Sequence, residues 1–197
     1  MKQVDFYFDF ISPYSYLVVT RIAEFSKQHG VEFNWIPVNL PKLIKYSGNT
    51  PPATIKNKAL YSLRDLKRWA DYLDVPFKMI RPGTFDSRPA LRIAAALESE
   101  ERIQFCQGVF NALWSGSVDP KEEGWLEEVF RQQSLPESWL GLCNDVLDEN
   151  TERAIKVGAF GVPTFILHGG DSDKKRRPEM FFGIDHMDFL ARACERV

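Results

Sequence analysis

The chain contains 197 residues, with 25 Lys plus Arg against 27 Asp plus Glu, and its formal net charge is -2 at pH 7. This balance argues against an extended basic surface for nucleic acid, and no apolar run reaches the length of a membrane span. The three cysteines and three histidines lack the spacing of a disulfide framework, a redox dithiol or a metal site.

The first predicted element is a β-strand that leads into a helix. Apolar and polar residues alternate from Val4 to Phe10, which is the period of a strand. The alternation stops at Ser12, a favoured helix N-cap, and Pro13 suits the first helical position. The junction presents a hydroxyl group and free backbone N–H groups at the positive end of a helix dipole, where a thiolate can be held. Because the N-terminus enters this strand directly, we expect no signal peptide and a cytoplasmic location.

The next elements complete a β-α-β unit. Helical spacing continues to His29, Gly30 suits the end of a helix, and residues 31–36 alternate as a second strand. A short helical connection predicts that the two strands are parallel. From Pro41 onward the strand pattern disappears, which predicts a helical insertion with helices over 56–73, 89–97, 101–114 and 122–133.

The strand signal returns near the C-terminus. After a helix over 145–157 we expect strands at 165–167 and 179–182. A terminal helix then follows, with Asp185 as its cap. The basic run at 174–177 is interpreted as a solvated turn.

The order β-α-β, helical insertion, α-β-β-α predicts an α/β protein with a thioredoxin-like fold and a large all-helical insertion. We assign residues 1–40 and 150–197 to the thioredoxin-like domain and residues 41–149 to the inserted helical domain.

One motif resembles a known family. Ser12-Pro13-Tyr14-Ser15 takes the place of the Cys-Pro-x-Cys motif of thioredoxin-like proteins, with serine for both cysteines. The surrounding residues 8–17 resemble the start of the 2-hydroxychromene-2-carboxylate isomerases and of the kappa-class glutathione transferases. This resemblance implies the DsbA/kappa-class architecture and glutathione as cofactor, with Ser12 hydrogen-bonded to the glutathione sulfur.

The resemblance extends to other glutathione contacts. It implies a cis Val162-Pro163 bond, with the backbone of Val162 pairing with the cysteinyl main chain of glutathione as an added strand would. It also assigns glutathione contacts to Asn49 and Lys58. If the family resemblance is set aside, Lys58 is interpreted as a solvated lysine on a helix. Pro163 is then interpreted as a trans proline that starts a strand.

A third segment, residues 183–190, resembles the family segment that binds the γ-glutamyl end of glutathione. The resemblance makes Asp185 the acceptor for the ammonium group and gives Ile184 a backbone contact. Ile184 stands where the family commonly has a polar residue, and His186 stands where it commonly has arginine. The alternative for Asp185 is a helix cap alone.

The expected function is glutathione-dependent isomerisation of the 2-hydroxychromene-2-carboxylate type. Ser12 would stabilise the thiolate rather than act as a nucleophile, because no histidine or carboxylate is placed in sequence as its base. The alternatives are a kappa-class glutathione S-transferase and a non-catalytic glutathione-binding module. The expected partners are a small aromatic or other electrophilic substrate and a second copy of the chain in a homodimer, with no nucleic acid, membrane or metal.

Overall fold

The computed structural model describes residues 2–169 and 177–196. The predicted solvated turn at 174–177 therefore lies outside the described residues, except for Arg177. Among the described residues, every helix is too short or too polar to span a lipid bilayer.

A four-stranded mixed sheet forms the centre of the fold. Its strands, numbered along the chain, are β1 (Lys2–Phe8), β2 (Val31–Pro37), β3 (Thr164–Leu167) and β4 (Glu179–Phe182). They lie in the order β2-β1-β3-β4. Strands β1 and β2 are parallel, whereas β3 is antiparallel to β1 and β4. The parallel β-α-β unit and the late return of the strands are as predicted, and the α/β thioredoxin-like fold class is confirmed.

The helices occupy the predicted regions with small shifts. They are α1 (Pro13–His29), α2 (Leu40–Ser47), α3 (Lys56–Leu73), α4 (Arg88–Ala96), α5 (Ser99–Ser115), α6 (Trp125–Gln132), α7 (Val146–Lys156) and α8 (Met187–Cys194). Short 3₁₀ turns cover Pro52–Thr54, Glu137–Trp139 and Ile184–His186.

Local hydrogen bonds explain where the predicted ends were wrong. The first strand stops at Phe8, before the predicted end at Phe10, because the carbonyl of Asp9 accepts from the Ser12 N–H in a turn. At the other end of the chain, α8 has His186 as its N-cap, without a side-chain capping bond. Asp185 lies in the preceding 3₁₀ turn, so the prediction that it caps the helix was wrong.

Strand β1 is buried on both faces. Phe6 and Phe8 face the larger core, where their rings stack at a centroid distance of 5.3 Å. Tyr7 points to the opposite side, into a smaller core with Ile36 and Ile166. The alternation of the first strand therefore separates two cores rather than a core from solvent.

A polar cluster around Asp5 lies beside the smaller core. The buried Asp5 carboxylate accepts from Asn34 Nδ2 at 2.9 Å and pairs with His168 Nε2 at 2.9 Å. Arg153 of α7 donates to the same carboxylate. Burial, together with the nearby Asp5 charge, raises the pKa of Tyr7 to about 12. The cluster ties β1 to β2, to α7 and to the end of β3.

The insertion shares the larger core with the sheet. Phe110 of α5 lies against the rings of Phe8 and Phe10, at centroid distances of 5.7 and 4.9 Å. Helix α7 also runs across residue 150, where we placed a domain boundary. The division into two domains stays a prediction.

Removing the Phe110 ring tests this shared core. We expect Phe110→Ala to lower the free energy of unfolding by about 3–5 kcal/mol, because the ring is fully buried. Phe189→Ala, at a ring that is 56% exposed, is the matched control and should change it by less than about 0.5 kcal/mol. Denaturant unfolding should show one transition by circular dichroism and by fluorescence. Two separate transitions would contradict a shared core.

Candidate functional site

Ser12 lies where the end of β1 meets the first turn of α1. It is 5% exposed, and its Oγ caps the helix by accepting from the Ser15 N–H at 3.2 Å. The hydroxyl donates to the Val162 carbonyl at 3.5 Å, at the long limit for a hydrogen bond. Among the described residues, no histidine or carboxylate bonds to this hydroxyl. Ser12 therefore caps α1, and the hydrogen bond that its hydroxyl donates is weak.

The Val162-Pro163 bond is cis, as predicted. It connects two of the predicted segments, because the Pro163 carbonyl accepts from the Gly183 N–H at 3.0 Å and the Val162 carbonyl faces Ser12. Gly183 has a φ of +92°, and a side chain there would lie 2.4 Å from Asp185 Oδ1. The segment after β4 therefore turns directly beside the cis-proline.

Asn49 also reaches this region. Its Nδ2 donates to the Phe160 carbonyl at 2.8 Å, and its Oδ1 accepts from the Thr50 N–H at 2.8 Å. Phe160 is two residues before Val162, and its ring packs on Phe182 at a centroid distance of 4.5 Å. Asn49 is exposed, so part of its amide remains open to solvent. The loop after α2 is therefore fixed to the cis-proline segment.

Lys58 is near the start of α3 and is exposed. Its ammonium group has no hydrogen bond or ion pair within the described residues. Asp65, seven residues later on the same helix, accepts from the Tyr14 hydroxyl at 2.9 Å and so fixes α3 beside the Ser12 motif. Residues seven apart lie on the same helix face, about 10 Å along its axis. Lys58 can therefore extend toward the motif, but no described contact joins it to the other predicted residues.

Ile184 and Asp185 have opposite environments. The Ile184 side chain is 2% exposed and belongs to the larger core, so only its backbone is available to a ligand. Asp185 is exposed and lies over Gly183, beside the cis-proline segment. The ring nitrogen Nδ1 of His186 contacts the Phe182 carbonyl, which turns this side chain back toward β4.

The sequence reasoning missed Asp9. Its side chain is completely buried and accepts three hydrogen bonds, from Ile11 N, Leu40 N and Ser87 Oγ. Burial raises its pKa to about 6, although the three donors oppose that rise. The only signal in the sequence was a carboxylate close before the Ser12 turn, at a position that continued the strand alternation.

A cleft opens beside the same turn. It has a volume of about 520 Å³ and is lined by the turn before Ser12, the start of α2 and the loop leading into α4. Its lining includes Ile11, Pro41, Phe85, Ser87 and Arg88. Arg88 is held in a bidentate ion pair with Asp86, whose pKa is lowered by that bond. The cleft is therefore formed by both the thioredoxin-like part and the insertion.

This geometry agrees with the comparisons to known proteins. A family model described as the DSBA-like thioredoxin domain matches residues 3–195. The chain belongs to the DSBA-like thioredoxin family. A solved 2-hydroxychromene-2-carboxylate isomerase superposes with a TM-score of 0.79 at 29% identity, covering 98% of this chain and 95% of that one.

Two named relatives match nearly the whole chain. The 2-hydroxychromene-2-carboxylate isomerase of Pseudomonas putida is 31% identical over 98% of this chain and 95% of its own length. Glutathione S-transferase kappa 1 of Caenorhabditis elegans is 28% identical over 97% of this chain and 90% of its own length. Both relatives are named as enzymes, and the family resemblance inferred from residues 8–17 is confirmed.

The buried carboxylate of Asp9 predicts a pH dependence of stability. Its folded-state pKa of about 6 exceeds the usual 3.8, so the folded state binds the proton more tightly than the unfolded state. The stabilisation is complete below pH 4 and is lost as the pH rises through 6. At about 1.4 kcal/mol per pKa unit, the loss is up to roughly 3 kcal/mol.

Asp9→Asn provides the reference, because it cannot ionise. Denaturant unfolding of both proteins from pH 4 to pH 7 should show the wild type losing stability relative to Asp9→Asn. Parallel stability curves for the two proteins would contradict the raised pKa.

Proposed function

We propose that this protein is a glutathione-dependent enzyme in which Ser12 stabilises the glutathione thiolate. The observation that carries the proposal is the bonding of the Ser12 hydroxyl. Its oxygen accepts from Ser15 N, while its proton, among the residues that the structure describes, faces the Val162 carbonyl alone at 3.5 Å. A thiolate placed beside it would accept that proton in a stronger, charge-assisted bond.

The energy of this bond is enough to change thiol chemistry. A free thiol has a pKa of about 8.5, so only a small fraction is thiolate at neutral pH. A hydrogen bond to a charged group contributes about 1.5–3 kcal/mol, and one pKa unit corresponds to about 1.4 kcal/mol. Ser12 therefore lowers the thiol pKa by about one to two units, with the N-terminus of α1 acting in the same direction.

The surrounding residues fit the rest of a tripeptide with two carboxylates and one ammonium group. The Val162 backbone pairs with the cysteinyl main chain, and Ile184 supplies a further backbone contact. Asp185 accepts from the γ-glutamyl ammonium group. Lys58 neutralises a carboxylate, and Asn49 donates with the part of its amide that Phe160 leaves free. Three hydrogen bonds support this arrangement, from Asn49 to Phe160, from Ser12 to Val162 and from Gly183 to Pro163.

The reaction we favour is isomerisation of a conjugated aromatic acid. The thiolate adds to a conjugated carbon, forming a C–S bond while the π electrons move into the conjugated system. Rotation about the former double bond follows, and those electrons then return and expel the thiolate. Glutathione is regenerated, so it acts as a cofactor. The isomerase of Pseudomonas putida, at 31% identity, supports this choice.

Glutathione transfer is the second candidate, favoured by the similarity to the kappa transferase of Caenorhabditis elegans. In that reaction a leaving group departs with the electron pair and the C–S bond remains, so glutathione is consumed. A homodimer and a cytoplasmic location remain predictions under both candidates.

The first test measures the pKa of bound glutathione. The absorbance of the thiolate is recorded while the pH is varied. We expect the wild type to lower this pKa by about one to two units and Ser12→Ala to abolish most of the shift. Ser26→Ala, at the far end of α1, is the matched control and should behave as wild type. If Ser12→Ala kept both the shift and turnover, Ser12 would not be the thiolate stabiliser.

The second test separates the two reactions. The protein is incubated with glutathione and 2-hydroxychromene-2-carboxylate, and separately with glutathione and a chlorinated nitroaromatic compound. We expect isomerisation of the first substrate with the free thiol concentration unchanged. Stoichiometric loss of thiol with the second substrate alone would instead establish a transferase.

A further inference from the structure

The Asp9 carboxylate joins three segments that are distant in sequence. Oδ1 accepts from Ile11 N at 3.1 Å and from Ser87 Oγ at 2.7 Å, and Oδ2 accepts from Leu40 N at 2.9 Å. These donors belong to the turn before Ser12, the start of α4 and the first turn of α2. The carbonyl of Asp9 also accepts from the Ser12 N–H at 3.0 Å. One residue therefore holds the Ser12 turn, the start of α2 and the start of α4.

The same three segments line the cleft. Ile11 comes from the turn, Pro41 from α2, and Ser87 from the N-terminal end of α4. Because the backbone or side chain of each segment is bonded to Asp9, the walls of the cleft and the Ser12 turn share one anchor. A change in the position of α2 or α4 must therefore alter the bonds that fix the turn.

Burial of a carboxylate is unfavourable unless its oxygens are satisfied. An apolar side chain would fill this site without the cost of desolvating a charge, but it would not hold three separate donors at hydrogen-bond distance. Ser87 is itself 4% exposed and donates to Asp9, and α4 begins without a side-chain cap from Ser87. The Ser87 hydroxyl therefore bonds the insertion to the turn and does not cap α4.

We propose that Asp9 is a positioning residue that couples the helical insertion to Ser12. Through Ser87 and Leu40 it transmits the position of α4 and α2 to the turn that orients the Ser12 hydroxyl. The coupling itself is a property of the free protein, whereas its effect on the thiol rests on the proposed function.

The coupling is tested without glutathione by amide hydrogen exchange. Ser87→Ala removes one donor from Asp9 without contacting Ser12. We expect the Ser12 and Ser15 amides to exchange about tenfold faster or more than in wild type, as expected for a lost hydrogen bond to a charged group. Ser117→Ala is the matched control, because its hydroxyl donates to Ala112 within the insertion at 3.3 Å. It should leave those two amides unchanged.

Asp9→Asn gives an independent comparison. Its amide oxygen can keep the Ile11 and Ser87 donors, while its NH₂ group faces the Leu40 N–H, so the contact with α2 is lost. We again expect faster exchange at Ser12 and Ser15. If this variant does not fold, Ser87→Ala, which keeps the carboxylate, decides the question. Wild-type exchange at both amides in Ser87→Ala would overturn the coupling.

The thiol pKa supplies the second measurement. Ser87→Ala should reduce the pKa depression of bound glutathione, whereas Ser117→Ala should match wild type. A merely structural role for Asp9 would lower stability in Ser87→Ala but leave the pKa depression intact, which would also overturn the proposal. If the wild type shows no depression, the proposed function fails, and the exchange measurement still decides whether the coupling exists.

Discussion

The four-residue turn from Asp9 to Ser12 is the constraint on which the candidate site depends. Three hydrogen bonds hold its backbone: Ser12 N donates to the Asp9 carbonyl, Ile11 N donates to the Asp9 carboxylate, and the Phe10 carbonyl accepts from Trp114 Nε1 at 3.0 Å. The strand before this turn is buried on both faces and cannot shift without disturbing two cores. The start of α1 and the Ser12 hydroxyl are therefore held by the interior of the protein rather than by a surface loop.

The sequence predicted the features that depend on local chemistry. Helix α3 has its predicted bounds because apolar spacing and the flanking breaks are local signals. Ser12 and Pro13 predicted the start of α1, because few residue types suit a helix N-cap and the position after it. Gly30 predicted its end, because a left-handed backbone favours glycine. The family motif then placed Val162-Pro163 beside Ser12, which periodicity alone could not do.

The sequence did not reveal the bonds between distant residues. Asp9 lies 31 residues from Leu40 and 78 from Ser87, and Asn49 lies 111 from Phe160. Such pairs have no period or spacing, because they depend on how the insertion packs on the sheet. Asp9 continued the strand alternation and so resembled an ordinary strand residue. Asp185 is of a residue type that caps helices, but it stands one residue before the N-cap of α8.

Because the motif has serines, oxidation or alkylation of the reacting sulfur affects glutathione rather than the protein. Neither Ser12 nor Ser15 carries sulfur. Cys106 and Cys194 are buried, and burial raises the pKa of both thiols, while Cys143 is exposed but is not one of the site residues. On the proposed mechanism the reacting sulfur enters and leaves with glutathione. An oxidant or alkylating agent that attacks this sulfur therefore modifies an exchangeable molecule, and the protein recovers by releasing it and binding another.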